Sequence, residues 1–303
     1  MKILKLLLPL LLVFFFYSCD ETDPKDKDYK NLPSEEKSKL SKKQATSSSV
    51  FDKDTTLEGA RKTLLSFDKD KVEDVKSFEN GLLIKWLEKG AGPKVKKGDM
   101  ILIEYRLTLE DGRIVDGNHR KKLPAIPFIV GYNMQTPGWD FAFPEMYLGD
   151  FVKVEIPASL AYGKKGLGDV IPPNTNVWLY ARLYAAVAPG IDEDGIKSWK
   201  ILEGEKEVNS SDKEVTFHTI VSTESKAAVM NTYLSNFPIR YIVGQKTVVP
   251  GLRGILNKAR LGDRYLILLE GNQAYGAKGY ANMIKPKETV LFNVEVINVR
   301  DLN

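Results

Sequence analysis

The sequence predicts an α+β fold built twice: two copies of a twisted antiparallel β-sheet, each wrapped on one short helix. Three observations predict it. The first is internal repetition. Leu148-Gly149-Asp150 recurs as Leu261-Gly262-Asp263, Ala161-Tyr162-Gly163 as Ala274-Tyr275-Gly276, Ile129-Val130-Gly131 as Ile242-Val243-Gly244, and Pro137-Gly138 as Pro250-Gly251, all at an offset of 113 residues. Solenoid repeats have periods of about 20–50 residues, so this spacing marks a duplicated domain. The second is strand patterning through 99–109, 151–156, 177–183, 215–221, 265–269 and 290–296; in 99–109, Ile101, Ile103, Tyr105 and Leu107 form an apolar face opposite a mixed one, the period of a strand. The third is that helical patterning is confined to short stretches near 138–148 and 251–261. An alternating sheet must bury one face, and one short helix per copy is available to cover it.

The elements follow in chain order. Lys2 and Lys5 precede an apolar run from Leu6 to Tyr17 that ends at Ser18-Cys19, followed by Asp20-Glu21-Thr22-Asp23. Twelve apolar residues are too few to span a bilayer, which takes about 20, but they suit a secretory leader. The boundary resembles the lipobox of bacterial lipoproteins, with Phe16 where Leu is usual. That resemblance implies a signal peptide over residues 1–18, a lipid-bearing Cys19 and residence on a membrane of the bacterial envelope, at its periplasmic face or the cell surface. The alternative is an ordinary cleaved leader in which Cys19 is coincidental. Residues 19–54 are rich in Lys, Asp, Glu and Ser and cannot bury enough apolar area to offset ordering, so they read as a disordered tether. Residues 55–80 read as a short helical lead-in, with Leu57, Ala60, Leu64 and Leu65 on one face. The two copies follow at 81–187 and 195–303, with Ala188-Pro189-Gly190 between them as a natural break. In the first copy Asp111-Gly112 separates two strand runs as a turn, and Pro144 shortens or bends the helix.

Composition narrows the chemistry. Lys and Arg number 44 against 40 Asp and Glu, so no basic footprint for nucleic acid is present. One cysteine in 303 residues excludes an internal disulfide framework and any cysteine-based metal cluster. The two histidines leave little for a poly-His metal site and are read as a solvated loop residue (His119) and a solvent-facing strand residue (His218). No G-x-S-x-G, H-E-x-x-H or G-x-x-x-x-G-K-[ST] motif occurs, and Gly163–Gly168 leads into Ile171-Pro172-Pro173 with no helix to receive an anion. No metal or cofactor is expected.

What remains is a set of aromatic and aliphatic residues with one carboxylate. Lys97-Gly98-Asp99 opens the strand bearing Tyr105; Asp111-Gly112-Arg113-Ile114-Val115-Asp116, Pro127-Phe128, Pro137-Gly138-Trp139, Ile156-Pro157, Leu160-Ala161-Tyr162-Gly163 and Ile171-Pro172-Pro173 follow in order. Over residues 81–187 this ordered set resembles the FKBP-type peptidyl-prolyl cis-trans isomerases. The resemblance implies tandem FKBP-like domains, each a half-barrel sheet around its helix. It implies that Trp139 floors a proline pocket, with Tyr105, Phe128 and Leu179 as walls. It further implies that Tyr162 donates to a substrate carbonyl, that Asp116 lies at the rim, that Ile171 closes one side and that the Thr136 amide is a donor. Val115, Ile126, Thr136 and Leu179 take substrate-binding places where the family more often has Phe, another aromatic, Ile or Val, and Phe. Each makes the cavity roomier or less aromatic, and activity is expected to be reduced accordingly.

Such a reaction needs no nucleophile. The barrier to X–Pro rotation, about 18–20 kcal/mol, comes from amide resonance, and the twisted transition state has lost that resonance and its charge separation. An apolar cavity favours it over the planar form. The second copy resembles the family more distantly. Tyr241, Val248, Val249, Tyr275, Ile284 and Phe292 hold pocket places, but Leu252 stands for the Trp, Thr219 for the strand Tyr, and Val229-Met230 for Val115-Asp116. This copy is expected to be weakly active or inactive, with a binding or structural role. The functional expectation is a prolyl isomerase that assists folding of proline-containing envelope or secreted proteins, its partners being unfolded or extended chains. The alternative is a non-catalytic FKBP-like lipoprotein acting as a holdase or as an assembly component of a surface complex.

Overall fold

The computed structural model describes residues 71–118, 125–204 and 212–302. The leader over 1–18, Cys19, the tether over 19–54, the helical pattern of the lead-in and His119 lie outside these residues. Among the described residues no helix is long and apolar enough to cross a membrane.

Two seven-stranded antiparallel sheets follow one another along the chain. The first contains β1 (Asp74–Ser77), β2 (Leu83–Glu88), β3 (Met100–Leu109), β4 (Ile114–Gly117), β5 (Ile126–Ile129), β6 (Phe151–Ile156) and β7 (Val177–Val187), with helix α1 (Pro137–Ala142) between β5 and β6. The second contains β8 (Ile191–Glu193), β9 (Ile196–Leu202), β10 (Lys213–Thr223), β11 (Met230–Asn231), β12 (Ile239–Ile242), β13 (Arg264–Leu269) and β14 (Val290–Asp301). Helix α2 (Thr232–Ser235) follows β11, and helix α3 (Pro250–Leu256) precedes β13. The strand orders β1-β2-β6-β7-β3-β4 and β8-β9-β13-β14-β10-β11 are the same arrangement, so the repeated tripeptides stand for repeated architecture. The expected α+β fold, an antiparallel sheet with a short helix built twice, is what the chain adopts.

Two sequence expectations need correction, the helical lead-in and the start of the second copy, while the shortening expected at Pro144 is present. The lead-in over 55–80 is not helical throughout, because β1 within it pairs with β2 from Asp74–Trp86 to Ser77–Leu83. The first sheet therefore begins before residue 81. The second begins before 195, at β8, whose hairpin with β9 turns at Asp194-Gly195. The first helix stops at Ala142 and gives way to a single 3-10 turn, Phe143–Glu145, because Pro144 cannot continue the α-helical hydrogen-bond ladder.

Helices α1 and α3 lie tightly across their sheets. A Cβ on Gly138 would stand 2.4 Å from Ile156 Cγ2 of β6, and one on Gly251 2.5 Å from Leu269 Cδ2 of β13. The repeated Pro-Gly pairs thus set helix-to-sheet distance: proline pre-forms the first turn and the glycine lets the sheet approach. The apolar set between α1 and the first sheet includes Ile84, Ile101, Ile103, Leu107, Val152, Val154 and Ala181. A separate core joins the two sheets: Met100, Ile129 and Tyr132 from the first meet Trp199, Leu266, Leu268 and Leu291 from the second. The Trp199 indole N–H also donates to the Val187 carbonyl at 2.8 Å.

The outer edge of β3 is divided. Met100–Ile103 pairs with β5 and Arg106–Thr108 pairs with β4, leaving Tyr105 opposite the gap. Asn118 bridges it: its Oδ1 accepts from the Tyr105 amide at 2.8 Å and its Nδ2 donates to the Ile103 carbonyl at 3.2 Å. In the second sheet Thr232 Oγ1 takes the same place, accepting from the Thr219 amide at 2.8 Å. A side chain here does the work of a strand neighbour, as buried backbone groups require.

Candidate functional site

The edge gap and the helix define the site. Tyr105 lies on β3 opposite the edge gap, with β7 pairing it on the inner side alone. Its hydroxyl donates to Asp116 Oδ2 at 2.7 Å, while Asp116 Oδ1 accepts from the Gly117 amide at 2.8 Å. The Tyr105 ring meets Trp139 of α1 edge-on at 5.1 Å, and Phe128 of β5 stacks on Trp139 at 5.7 Å. Tyr105, Phe128, Trp139, Ile171, Ile126 and Leu179 are buried members of one apolar cluster, with Val115 and Tyr162 half-buried against it. The structure therefore gathers these sequence-designated residues around the indole. Thr136 is the outlier by position: it caps the start of α1, with no side-chain cap bond and its Oγ1 buried without a partner among the described residues.

Two donors stand uncommitted. The Tyr162 hydroxyl and the Thr136 amide have no hydrogen-bond partner among the described residues. Burial, with the Asp116 charge second, raises the Tyr162 pKa well above the usual phenol range, so Tyr162 keeps its proton and can only be a donor or a neutral acceptor. Burial likewise pushes Asp116 up to about 6, against the lowering pull of its bonds from Tyr105 and Gly117. At neutral pH the site presents a buried aromatic cluster, the Asp116 carboxylate held by Tyr105 and Gly117, and two donors.

A pH dependence follows. Asp116 binds more protons folded than unfolded between about pH 4 and pH 6, so this group's contribution to stability falls as pH rises through that window. Asp140, pushed up to about 6 by burial, adds a slope of the same sign. Asp116→Asn is expected to flatten the stability profile between pH 4 and 7 without abolishing its slope, measured by urea unfolding at each pH. A variant profile parallel to wild type would refute the assignment.

Sequence reasoning missed Phe143, which meets Phe128 edge-on at 5.1 Å and Trp139 at 5.7 Å. Its helical spacing of four from Trp139 was the available signal. It also missed Asn118, whose role is a tertiary hydrogen bond with no periodicity to betray it. His218 is not a plain solvent-facing residue: its Nδ1 lies 3.0 Å from Thr232 Oγ1 and its ring stacks on Tyr233 at 4.4 Å.

In the second sheet, Val221 pairs with Met230 as Leu107 pairs with Asp116, so a thioether occupies the carboxylate's place. Leu252 is buried where Trp139 stands in the first copy. Tyr241 spends its hydroxyl on Asn257 Oδ1 at 2.8 Å. Val248, Ile284 and Phe292 are buried in the same core, with Val249 and Tyr275 partly buried against it. Tyr275 lies 6.4 Å from Phe292 and 5.0 Å from Tyr280 between ring centroids.

Comparison with known proteins agrees with the geometry. The family model described as FKBP-type peptidyl-prolyl cis-trans isomerase matches residues 92–183 and again 204–297. The human protein named peptidyl-prolyl cis-trans isomerase FKBP10 is 28% identical over 204 residues, 67% of this chain and 35% of that protein. FK506-binding protein 2 of Yarrowia lipolytica is 34% identical over 123 residues, covering 41% of this chain and 81% of that protein. The FKBP-type peptidyl-prolyl cis-trans isomerase FkpA of Aeromonas hydrophila is 35% identical over 127 residues, 42% of this chain and 46% of that protein. The chain thus spans about a third of the human relative's length and about half of the Aeromonas one. Among solved structures, the three FKBP domains of wheat FKBP73 align with 75% of this chain and 99% of that one, at 21% identity and a TM-score of 0.36.

Proposed function

The chain belongs to the FKBP-type peptidyl-prolyl cis-trans isomerase family, and on that premise we propose that it catalyses X–Pro isomerisation in extended or unfolded polypeptides, at the pocket of residues 81–187. The observation that carries this reading is the buried Trp139 indole together with two uncommitted donors, Tyr162 packed against the same cluster and the Thr136 amide at the start of Trp139's helix. The proline ring rests on the indole between Tyr105, Phe128, Ile171 and Leu179, with Val115 and Ile126 at the margins. Tyr162 and the Thr136 amide bind the carbonyls that flank the rotating bond. The rotating bond lies in an apolar environment that favours the twisted, less polar transition state. No proton moves, which fits a site whose only carboxylate is tied to a tyrosine.

Uncatalysed isomerisation takes tens of seconds, so the test is an X–Pro peptide assay on the full chain. A rate no faster than buffer overturns the proposal. The alternative, a non-catalytic holdase or assembly component, draws support from the second copy, where Leu252 and Met230 replace indole and carboxylate. We assign that copy, residues 195–303, a binding or structural role.

We further propose that the protein works in a bacterial envelope, attached to a membrane through lipid on Cys19 after removal of residues 1–18, with residues 19–54 as its tether. The support is the apolar run ending at Cys19. Cys19→Ala is expected to move the protein from the membrane pellet to the soluble fraction and to abolish labelling by a fatty-acid analogue. Unchanged fractionation and labelling would sink the anchor.

A further inference from the structure

The loop that joins β5 to α1, residues 130–136, carries the Thr136 amide into the pocket and leads directly to Trp139. It is held from two sides. From its own domain, Asp140 in the first turn of α1 accepts from the Gly131 and Asn133 amides, both at 2.6 Å. From the other domain, the Asn133 side chain donates to the carbonyls of Thr223 and Glu224, both at 2.8 Å. Ser222 Oγ donates to the Tyr132 carbonyl at 2.6 Å, and Lys97, whose ammonium lies over the Tyr132 ring, pairs with the Glu224 carboxylate. Met134 packs against both the pocket core and the core between the sheets.

The duplication shows that this arrangement is not something the fold demands. At the offset of 113, Tyr132, Asn133, Met134 and Asp140 correspond to Gln245, Lys246, Thr247 and Arg253. None of the four is kept. In the second copy Arg253 Nε instead donates to the Val248 carbonyl. The chain has two sheets of one design, and among the described residues only the copy with the indole and the carboxylate has this loop tied to the other.

We propose that Asn133 is a positioning residue and that the second domain acts as a brace in cis, fixing the Thr136 amide and Trp139 for the pocket of the first. The activity part of this inference rests on the function proposed above. Asn133 has a positive φ of 51°, so Asn133→Gly keeps the backbone accessible while deleting both bonds to the second domain.

Two readouts on the full chain test it. Amide hydrogen exchange over residues 131–139 is expected to accelerate in Asn133→Gly, with exchange in β6 and β7 unchanged. The X–Pro peptide assay should show kcat/KM falling about tenfold, mostly in kcat, as expected for losing one or two transition-state-aligning hydrogen bonds. Ser222→Ala, which deletes the Tyr132 contact alone, should give a smaller change in the same direction in both readouts. Unaltered exchange over 131–139 overturns the brace whatever the activity. Faster exchange with unchanged kcat/KM overturns the positioning role. Faster exchange in a chain whose wild type has no activity supports the brace and overturns the proposed function instead.

Discussion

Trp139→Leu is expected to lower kcat/KM for an X–Pro peptide by about 30- to 100-fold, the equivalent of roughly 2–3 kcal/mol lost with a buried aromatic anchor. The indole is 2% exposed and touches Tyr105, Phe128 and Phe143 at ring distances of 5.1, 5.7 and 5.7 Å. Leucine leaves the proline ring without a flat floor and lets the three neighbouring rings shift into the vacated volume. The second copy supplies the folding control: Leu252 occupies the equivalent place, 3% exposed, on a helix of the same kind. The loss should therefore appear in kinetics while the circular dichroism spectrum is retained. Tyr162→Phe, which removes one donor and leaves the apolar floor intact, should cost less, about tenfold. Activity of Trp139→Leu within threefold of wild type would place the reaction elsewhere.

Asp150→Ala should destabilise the first domain by about 3–5 kcal/mol, enough to remove much of the stability of an ordinary domain. Asp150 is 1% exposed. Its Oδ2 accepts from the Trp86 indole N–H at 2.8 Å and the Tyr147 amide at 2.9 Å, and its Oδ1 from the Gly90 amide at 2.6 Å. Alanine leaves all three donors without their acceptor, the buried Trp86 indole among them. Asp263 repeats the pattern in the second domain, accepting from the Gly204 amide at 2.7 Å, the Arg260 amide at 2.8 Å and the Tyr265 hydroxyl at 2.5 Å. Urea unfolding followed domain by domain, through hydrogen exchange, should show Asp150→Ala weakening β2, β6 and β7 and Asp263→Ala weakening β9, β13 and β14. Equal weakening of both domains by either variant would contradict the separation.

The repeated Leu-Gly-Asp was thus visible in the sequence as a repeat, but its meaning was not, because the carboxylate's partners lie as far as 64 residues away. The same division runs through the rest of the molecule. Long central strands such as β3, β6, β7 and β14 were readable because a sheet with one helix-covered face imposes alternation. The short edge strand β1 is exposed throughout, so no burial pattern marks it. The divided edge of β3 depends on Asn118, a polar residue in a turn, and nothing in its neighbourhood distinguishes a bridging amide from a solvated one. The residues that share the cluster around Trp139 could be named from their order along the chain. Phe143, in the 3-10 turn that follows α1, offered only its spacing of four from Trp139, and the bonds from Asn133 could not be named, since they join residues 90 apart.

That last separation has a temporal side. Synthesis runs from the N-terminus at about 5–20 residues per second, with domains folding as units. The chain between Asn133 and Thr223 therefore takes about 5–20 s to make. The first sheet can close only once Val187 completes β7. A further 36 residues lead to Thr223, so for about 2–7 s the helix can be seated on a closed sheet while the carbonyls of Thr223 and Glu224 do not yet exist. The nascent protein passes through a stage with a formed pocket and an untied rim, and it matures only when its C-terminal half arrives.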